Sequence, residues 1–364
     1  MTTNLSSMEK MGGARLSNFE LLRLLCMLMV LNLHSFSGWL HGSGVCQAFD
    51  FFRESTSICA VDCFVLISGY FGIKWKFKSF FNLVFQIFFY SVGIYLVVVA
   101  IGFVNWNIKQ FFLRFACLSV SSWGFVVSYV ILYFCSPVLN AFAERQSAKS
   151  LFWYIIIFIL ALNIVSFTAS SAFTYAMVYL IGRLLRKVKI EEFRMPASVY
   201  YWLTTFFIFI IVYFVLFKML HITNADIILK RPVGSLGYDY AAPLVILQAI
   251  ALFAVFAKMN FSSRIINWCA SSSFAIFLIH MHPTIKQIGY LSFVQRLYDY
   301  PFLEHAVLLI VFILCVFCGS ILIDKIRIVV SNLCYIFLDY LLQRIHSKYF
   351  QLDTYYPNSL KGLF

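Results

Sequence analysis

The sequence predicts an all-α fold: a polytopic transmembrane helical bundle of about ten membrane-crossing helices with both termini in the cytoplasm. Three observations predict it. Charged residues make up only 12% of the 364-residue chain, about half the share of a soluble domain. The mean hydropathy of +0.87 holds over the whole length, so it cannot come from one anchor helix. Lysine and arginine gather in alternate loops between the apolar runs. Abundant Phe (42) and Tyr (21) suit lipid-facing and interfacial surfaces.

The apolar runs, taken in order, cover residues 19–39, 55–73, 79–103, 121–142, 151–168, 171–187, 198–219, 241–257, 270–290 and 305–328. Each is close to the roughly 17–25 residues that cross the hydrocarbon. The polar stretch 1–18 reads as a cytoplasmic tail, and no small-residue cleavage site follows the first run, which is expected to be a retained helix. The run 171–187 is short and holds Gly182 and Arg183, which makes it the least regular of the ten. Residues 19–330 form one bundle. The tail 331–364 is read as cytoplasmic. Between 329 and about 350, Val330, Leu333, Ile336, Phe337 and Leu341 alternate with Asp339, Gln343 and Arg344, the pattern of an amphipathic helix lying on the inner surface.

The loops fix the orientation. With the N-terminus inside, 19 of the 28 Lys and Arg fall on the cytoplasmic side, 8 fall outside (Arg53 among them), and Arg23 lies within the first run. That asymmetry follows the positive-inside rule and requires an even number of spans. The net charge of +13 therefore reads as topology-setting charge and contact with anionic lipids. No basic stripe of the kind that binds nucleic acid is present. Most of the ten cysteines lie inside apolar runs, where they act as small hydrophobes. Cys315 and Cys318 form a CxxC inside an apolar helix without a second pair, which argues against zinc or redox chemistry there.

Ionisable groups at membrane depth are costly and mark functional sites. In the first run, Arg23 and His34 are eleven residues apart. Eleven residues are three helical turns plus about 20°, so both project from one face, about 16 Å apart along the axis. Glu20, one turn before Arg23, suits an ion pair with it. The competing readings are snorkelling for Arg23 and a helix-to-helix hydrogen bond for His34. In the second run Asp62 sits at a depth near that of His34, where an acid would hold an imidazole's tautomer and orientation; alternatively it satisfies nearby backbone or hydroxyl groups. Ser68-Gly69 follows, a pair that permits close backbone approach. In the ninth run, Ser271 to His280 leads into Met281-His282-Pro283. Pro283 is expected to kink the helix, and broken helices at membrane depth line cavities. His280 is therefore a cavity-wall candidate, with a packing hydrogen bond as the alternative. His280 and His282 lack a carboxylate or third ligand nearby, so no metal site is assigned. Trp123, with Ser128 and Tyr129 after it, reads as an interfacial aromatic anchor.

These residues carry a resemblance. Arg23, ten residues, then His34; Val61-Asp62-Cys63-Phe64-Val65-Leu66-Ile67-Ser68-Gly69-Tyr70; Trp123 through Ser136-Pro137 to Asn140; and Ser271 to His280, with Phe277 where relatives carry Tyr, follow the order and spacing of membrane acyltransferase family 3, the polysaccharide O-acetyltransferase-like proteins. The chain resembles that family from about residue 15 to 330. The resemblance implies transfer of an acyl group, acetyl above all, from cytoplasmic acyl-CoA to a hydroxyl of a cell-surface glycan or its lipid-linked precursor, in an inner (plasma) membrane. It carries Arg23 and His34 over as the family's functional pair. Read with the costly polar residues above, His34 is the expected catalytic base or acyl relay, Arg23 the donor anchor and Asp62 the partner of His34, with Glu20, Ser68 and His280 in the substrate cavity. Acyl-CoA is then a substrate, and no tightly bound cofactor is implied. Buried Arg, Asp and His also suit a transporter or flippase of a glycan or lipid intermediate, or a non-catalytic membrane partner in which Arg23 and His34 are replaceable.

Overall fold

The computed structural model describes residues 16–36, 44–116, 123–164, 171–221 and 239–350. Among these every regular element is helical. The chain is an all-α polytopic membrane protein. Among the described residues four helices are long and apolar enough to cross a membrane, and a bent pair raises the number to five.

The elements run as α1 (Ser17–His34), α2 (Gly44–Ser57), α3 (Ala60–Phe71), α4 (Phe77–Ala100), α5 (Ile108–Phe115), α6 (Gly124–Arg145), α7 (Ala148–Ile164) and α8 (Ser171–Lys187). They continue as α9 (Ala197–Phe209, extended by a π-helical stretch Ile210–His221), α10 (Pro243–Ala257), α11 (Arg264–Ala270), α12 (Ser273–His280), α13 (Pro283–Leu297) and α14 (Phe302–Phe350). The apolar spans are α4, α6, α9 with its extension, and α14 from Phe302 to Leu333. Only 17% of the α14 window is buried within the protein, as befits a helix facing lipid.

Several elements depart from the sequence-based expectation. The predicted span 55–73 divides at Ile58 and Cys59 into the end of α2 and all of α3. Gly44–Ser57, read as loop and helix start, is a helix that buries Asp50, Arg53 and Glu54 against the bundle. The predicted span 270–290 breaks at Pro283, as the proline's missing N–H and ring sterics require, and the two arms, Arg264–His280 and Pro283–Leu297, are bent by 62°. The predicted final span and the segment read as an amphipathic tail belong to one continuous helix, α14, which runs to Phe350. Residues 1–15, the stretch 351–364, Ser122 and the loop cations Lys230 and Arg231 lie outside the described residues.

α1 is the axis of the assembly, packed by α2, α3, α10, α11, α12 and α14. Its start is sewn down by polar side chains. Asn18 Nδ2 donates to the carbonyls of Phe256 (3.0 Å) and Met259 (2.9 Å), and Ser17 Oγ donates to Asn267 Oδ1 (3.0 Å). These same polar residues, with Glu20, Arg23, Asn32 and His34, keep α1 out of the set of strongly apolar spans although it is buried. α3 crosses α8 at very short range, through two glycines. A Cβ on Gly69 would stand 2.2 Å from the Tyr179 carbonyl oxygen, and one on Gly182 would stand 2.5 Å from that of Leu66. The close approach foreseen for Ser68-Gly69 is thus a helix crossing that only glycine permits.

Candidate active site

The face of α1 that carries Arg23 looks into a cavity of about 520 Å³. Glu20, Ser68, Ser79, Asn82, Gln86, Tyr129, Ser271 and Ser273 supply its polar lining, and Met27, Phe64, Phe125 and Phe274 its apolar lining. Arg23 Nη1 is 2.6 Å from Glu20 Oε1, the ion pair expected from the i, i+3 spacing. The arginine side chain keeps about a third of its surface exposed (34%), against 7% for the glutamate. One of its five N–H donors serves Glu20, and the arginine is part of the cavity lining. Ser68 Oγ is fixed between the Phe64 carbonyl and Tyr129 Oη, both at 3.0 Å.

A second, smaller cavity of about 190 Å³ lies further along the same face. His34 is on its wall, with Val30, Leu33, Val61, Tyr175, Tyr240, Phe277 and Met281. Met27, Phe64 and Phe125 border both cavities. The two spaces therefore share a wall of three side chains, and residues 23, 27, 30 and 34 of α1 form a single stripe past it.

His34 is half-buried, and its partner is a second imidazole. His34 Nδ1 lies 2.8 Å from His280 Nε2, and His280 Nδ1 lies 2.6 Å from the carbonyl oxygen of Ile276. A carbonyl only accepts, so His280 Nδ1 carries a proton and donates it. A neutral His280 then accepts at Nε2, which requires the proton on His34 Nδ1. His34 Nε2 is left with its lone pair free, the state needed to take a proton from a substrate.

The helix break places His280 there. α12 ends at His280, and the bend after it lets Met281 offer its carbonyl to Trp123 Nε1 (3.0 Å). Trp123 is 3% exposed, so it pins the bend from within and is no interfacial anchor. His282 turns away from the pair. Its Nε2 is 3.1 Å from the Ser91 carbonyl, and its Nδ1 accepts from the Thr284 amide at 3.3 Å.

The structure thus brings Glu20, Arg23 and Ser68 together in the large cavity and joins His34 to His280. It does not join Asp62 to His34. Asp62 is completely buried, and neither carboxylate oxygen has a hydrogen-bond partner among the described residues. His280 stands behind His34 and lines a separate apolar cavity of about 340 Å³ between α13 and α14. Sequence reasoning missed Asn82 and Gln86, although two amides at i and i+4 in an apolar run were a legible signal. Tyr175 and Tyr240 gave none, because tyrosine is common throughout this chain.

The family model described as an acyltransferase domain, that of acyltransferase family 3, matches residues 16–324. The chain belongs to this family. No curated protein and no solved structure matches it. The match begins at the residue before α1 and ends within α14, so this membrane acyltransferase-family protein carries both cavities and both histidines inside the family's region. Membership of acyltransferase family 3 implies acyltransferase activity in general.

Proposed function

We propose that the protein is a transmembrane O-acyltransferase that moves an acyl group, acetyl above all, from cytoplasmic acyl-CoA to a hydroxyl of a cell-surface glycan or its lipid-linked precursor. The observation that carries this reading is the stripe on α1: a guanidinium in a large polar cavity and, about 16 Å further along the axis, an imidazole whose second nitrogen is free. Arg23 grips a phosphate of the donor through its fork. The donor's thin arm runs past Met27, Phe64 and Phe125, and its thioester lies against His34.

The acceptor hydroxyl oxygen attacks the thioester carbonyl while His34 Nε2 takes the hydroxyl proton. The C–S bond breaks, the ester C–O bond is formed, and the proton passes from His34 to the departing thiolate, leaving an O-acyl product and a free CoA thiol. His280 carries the load on the far side of the ring: as His34 becomes an imidazolium, its Nδ1–H bond to His280 Nε2 becomes charge-assisted and strengthens. In this reading ten segments cross a plasma (inner) membrane with both termini cytoplasmic, which puts Arg23 on the donor's side.

The test is CoA-thiol release by the purified protein in lipid discs, combined with mass spectrometry of surface glycans from cells with and without the gene. Acyl-CoA-dependent thiol release that His34→Ala abolishes, together with a glycan mass difference equal to the acyl group, is expected. Full acylation by a folded His34→Ala variant would sink the reading.

A further inference from the structure

α1 stops at His34, where the Ser35 amide turns back onto the Leu31 and Asn32 carbonyls (3.1 and 3.2 Å). Two side chains from other elements fasten the same turn further. Arg53 of α2 donates through Nη1 to the Asn32 carbonyl and through Nη2 to the Ser35 carbonyl, both at 2.8 Å. Nη1 is also shared with Asn32 Oδ1 and Ser35 Oγ at 2.8 Å. Asn32 answers from its Nδ2 with bonds to the Arg53 carbonyl (2.8 Å) and Ser57 Oγ (2.7 Å). Tyr290 Oη of α13 takes the Leu31 carbonyl at 2.6 Å. Residues 31, 32 and 35 bracket position 34, so the turn that presents the imidazole is gripped on both sides of it.

The clamp is itself anchored. Arg53 Nε donates to Asp50 Oδ1 at 2.6 Å, and the other Asp50 oxygen accepts from Tyr298 Oη. Arg53 is 7% exposed and Asp50 fully buried. A cation held against a helix C-terminus also complements the helix dipole. Arg53 lines neither the Arg23 cavity nor the His34 cavity. Any effect it has on turnover must therefore run through the backbone of α1.

We propose that Arg53 is a positioning residue for His34: by fastening the last turn of α1 it holds the imidazole within hydrogen-bond reach of His280. The proposal rests on the acyl-transfer reading for its kinetic consequence, though its structural core does not. A shift of about 1 Å at a reacting group costs on the order of 100-fold in rate, and a lysine cannot reproduce the bidentate fork.

The test uses the full chain in lipid discs, with Arg53→Met and Arg53→Lys. Four quantities are read: kcat, donor KM, thermal unfolding, and the rate at which diethyl pyrocarbonate modifies His34, followed by peptide mass spectrometry. For folded Arg53→Met we expect kcat to fall at least tenfold with donor KM within twofold of wild type, and His34 to be modified severalfold faster. Arg53→Lys should recover only part of kcat. Unchanged kcat and unchanged labelling in folded Arg53→Met would overturn the proposal, as would a loss of kcat matched by an equal rise in donor KM. If Arg53→Met does not fold, Tyr290→Phe, which removes one hydroxyl from the same turn, decides: a smaller fall in kcat at constant KM with faster labelling supports the clamp, and unchanged values refute it. Should wild-type protein transfer no acyl group, the functional reading fails by itself, and the labelling rates alone decide whether the clamp exists.

Discussion

His34 and His280 lie 246 residues apart in the chain, and their rings meet at 2.8 Å, one nitrogen of each in a single hydrogen bond. The Ile276 carbonyl fixes the direction of that bond, so a backbone group on α12 dictates which nitrogen of His34 is free. Replacing His280 by alanine removes the acceptor and leaves the His34 tautomer unset. The expected outcome is a kcat loss of about 10- to 100-fold, below the roughly 10²–10⁴ attributed to a whole general base, with donor KM unchanged. His280→Gln, which retains an acceptor, should lose less. Steady-state kinetics on the two variants, side by side with His34→Ala as the zero, checks this.

In the acyl-transfer reading, Glu20 and the donor phosphate compete for the charge of Arg23. Arg23→Lys keeps the charge but loses the fork, and donor KM should rise about tenfold, equivalent to about 1.4 kcal/mol. Glu20→Gln removes the internal anion at 2.6 Å and should lower donor KM. Both shifts should shrink at high salt, because Arg23 is partly exposed. Donor titrations at two ionic strengths would show it, and an Arg23→Lys variant with unaltered KM would remove Arg23 from the donor site.

The α3–α8 crossing tolerates no side-chain carbon. Gly69→Ala would place a methyl 2.2 Å from the Tyr179 carbonyl oxygen, so one helix must move. Overpacking of this kind costs about 1–3 kcal/mol. A lower unfolding temperature in detergent and reduced yield are expected, with kcat per folded molecule less affected than the amount of folded protein.

Asp62 is a buried acid with no hydrogen-bond partner among the described residues, an arrangement that costs stability. Asp62→Asn should raise the unfolding temperature by about 2 °C or more. If the carboxylate serves the reaction, the same variant loses turnover while it gains stability, the trade-off expected of a functional group kept at a structural cost. Paired melting and activity measurements separate the two effects; a variant neither stabilised nor impaired would leave Asp62 without a role in either.

Much of this was legible in the chain. The apolar runs showed the bundle, Arg23 and His34 showed a shared face, and Pro283 showed a broken helix. What the sequence left open was partnership. His34 has two candidate neighbours by depth, Asp62 and His280, and nothing in one-dimensional spacing says which helix packs closer. Arg53 read as a loop cation because hydropathy cannot distinguish a charge facing water from one buried among hydrogen-bond acceptors. Trp123 read as an interfacial anchor because tryptophan is usual there, and only the packing against Met281 shows otherwise.

The fastening of α1 at both ends has a consequence for how such chains can vary. Asn18 and Ser17 hold its beginning and Arg53 and Tyr290 its end, so the helix cannot slide or rotate to absorb a change in length. Deleting one residue between Arg23 and His34 would swing the imidazole by about 100° and shorten the gap by about 1.5 Å. Only insertions or deletions of nearly whole turns would leave the two groups facing the same way, and each would reset the separation by about 5.4 Å. The spacing is therefore a quantised gauge, readable in any genome, of the length of molecule that can lie between the two side chains.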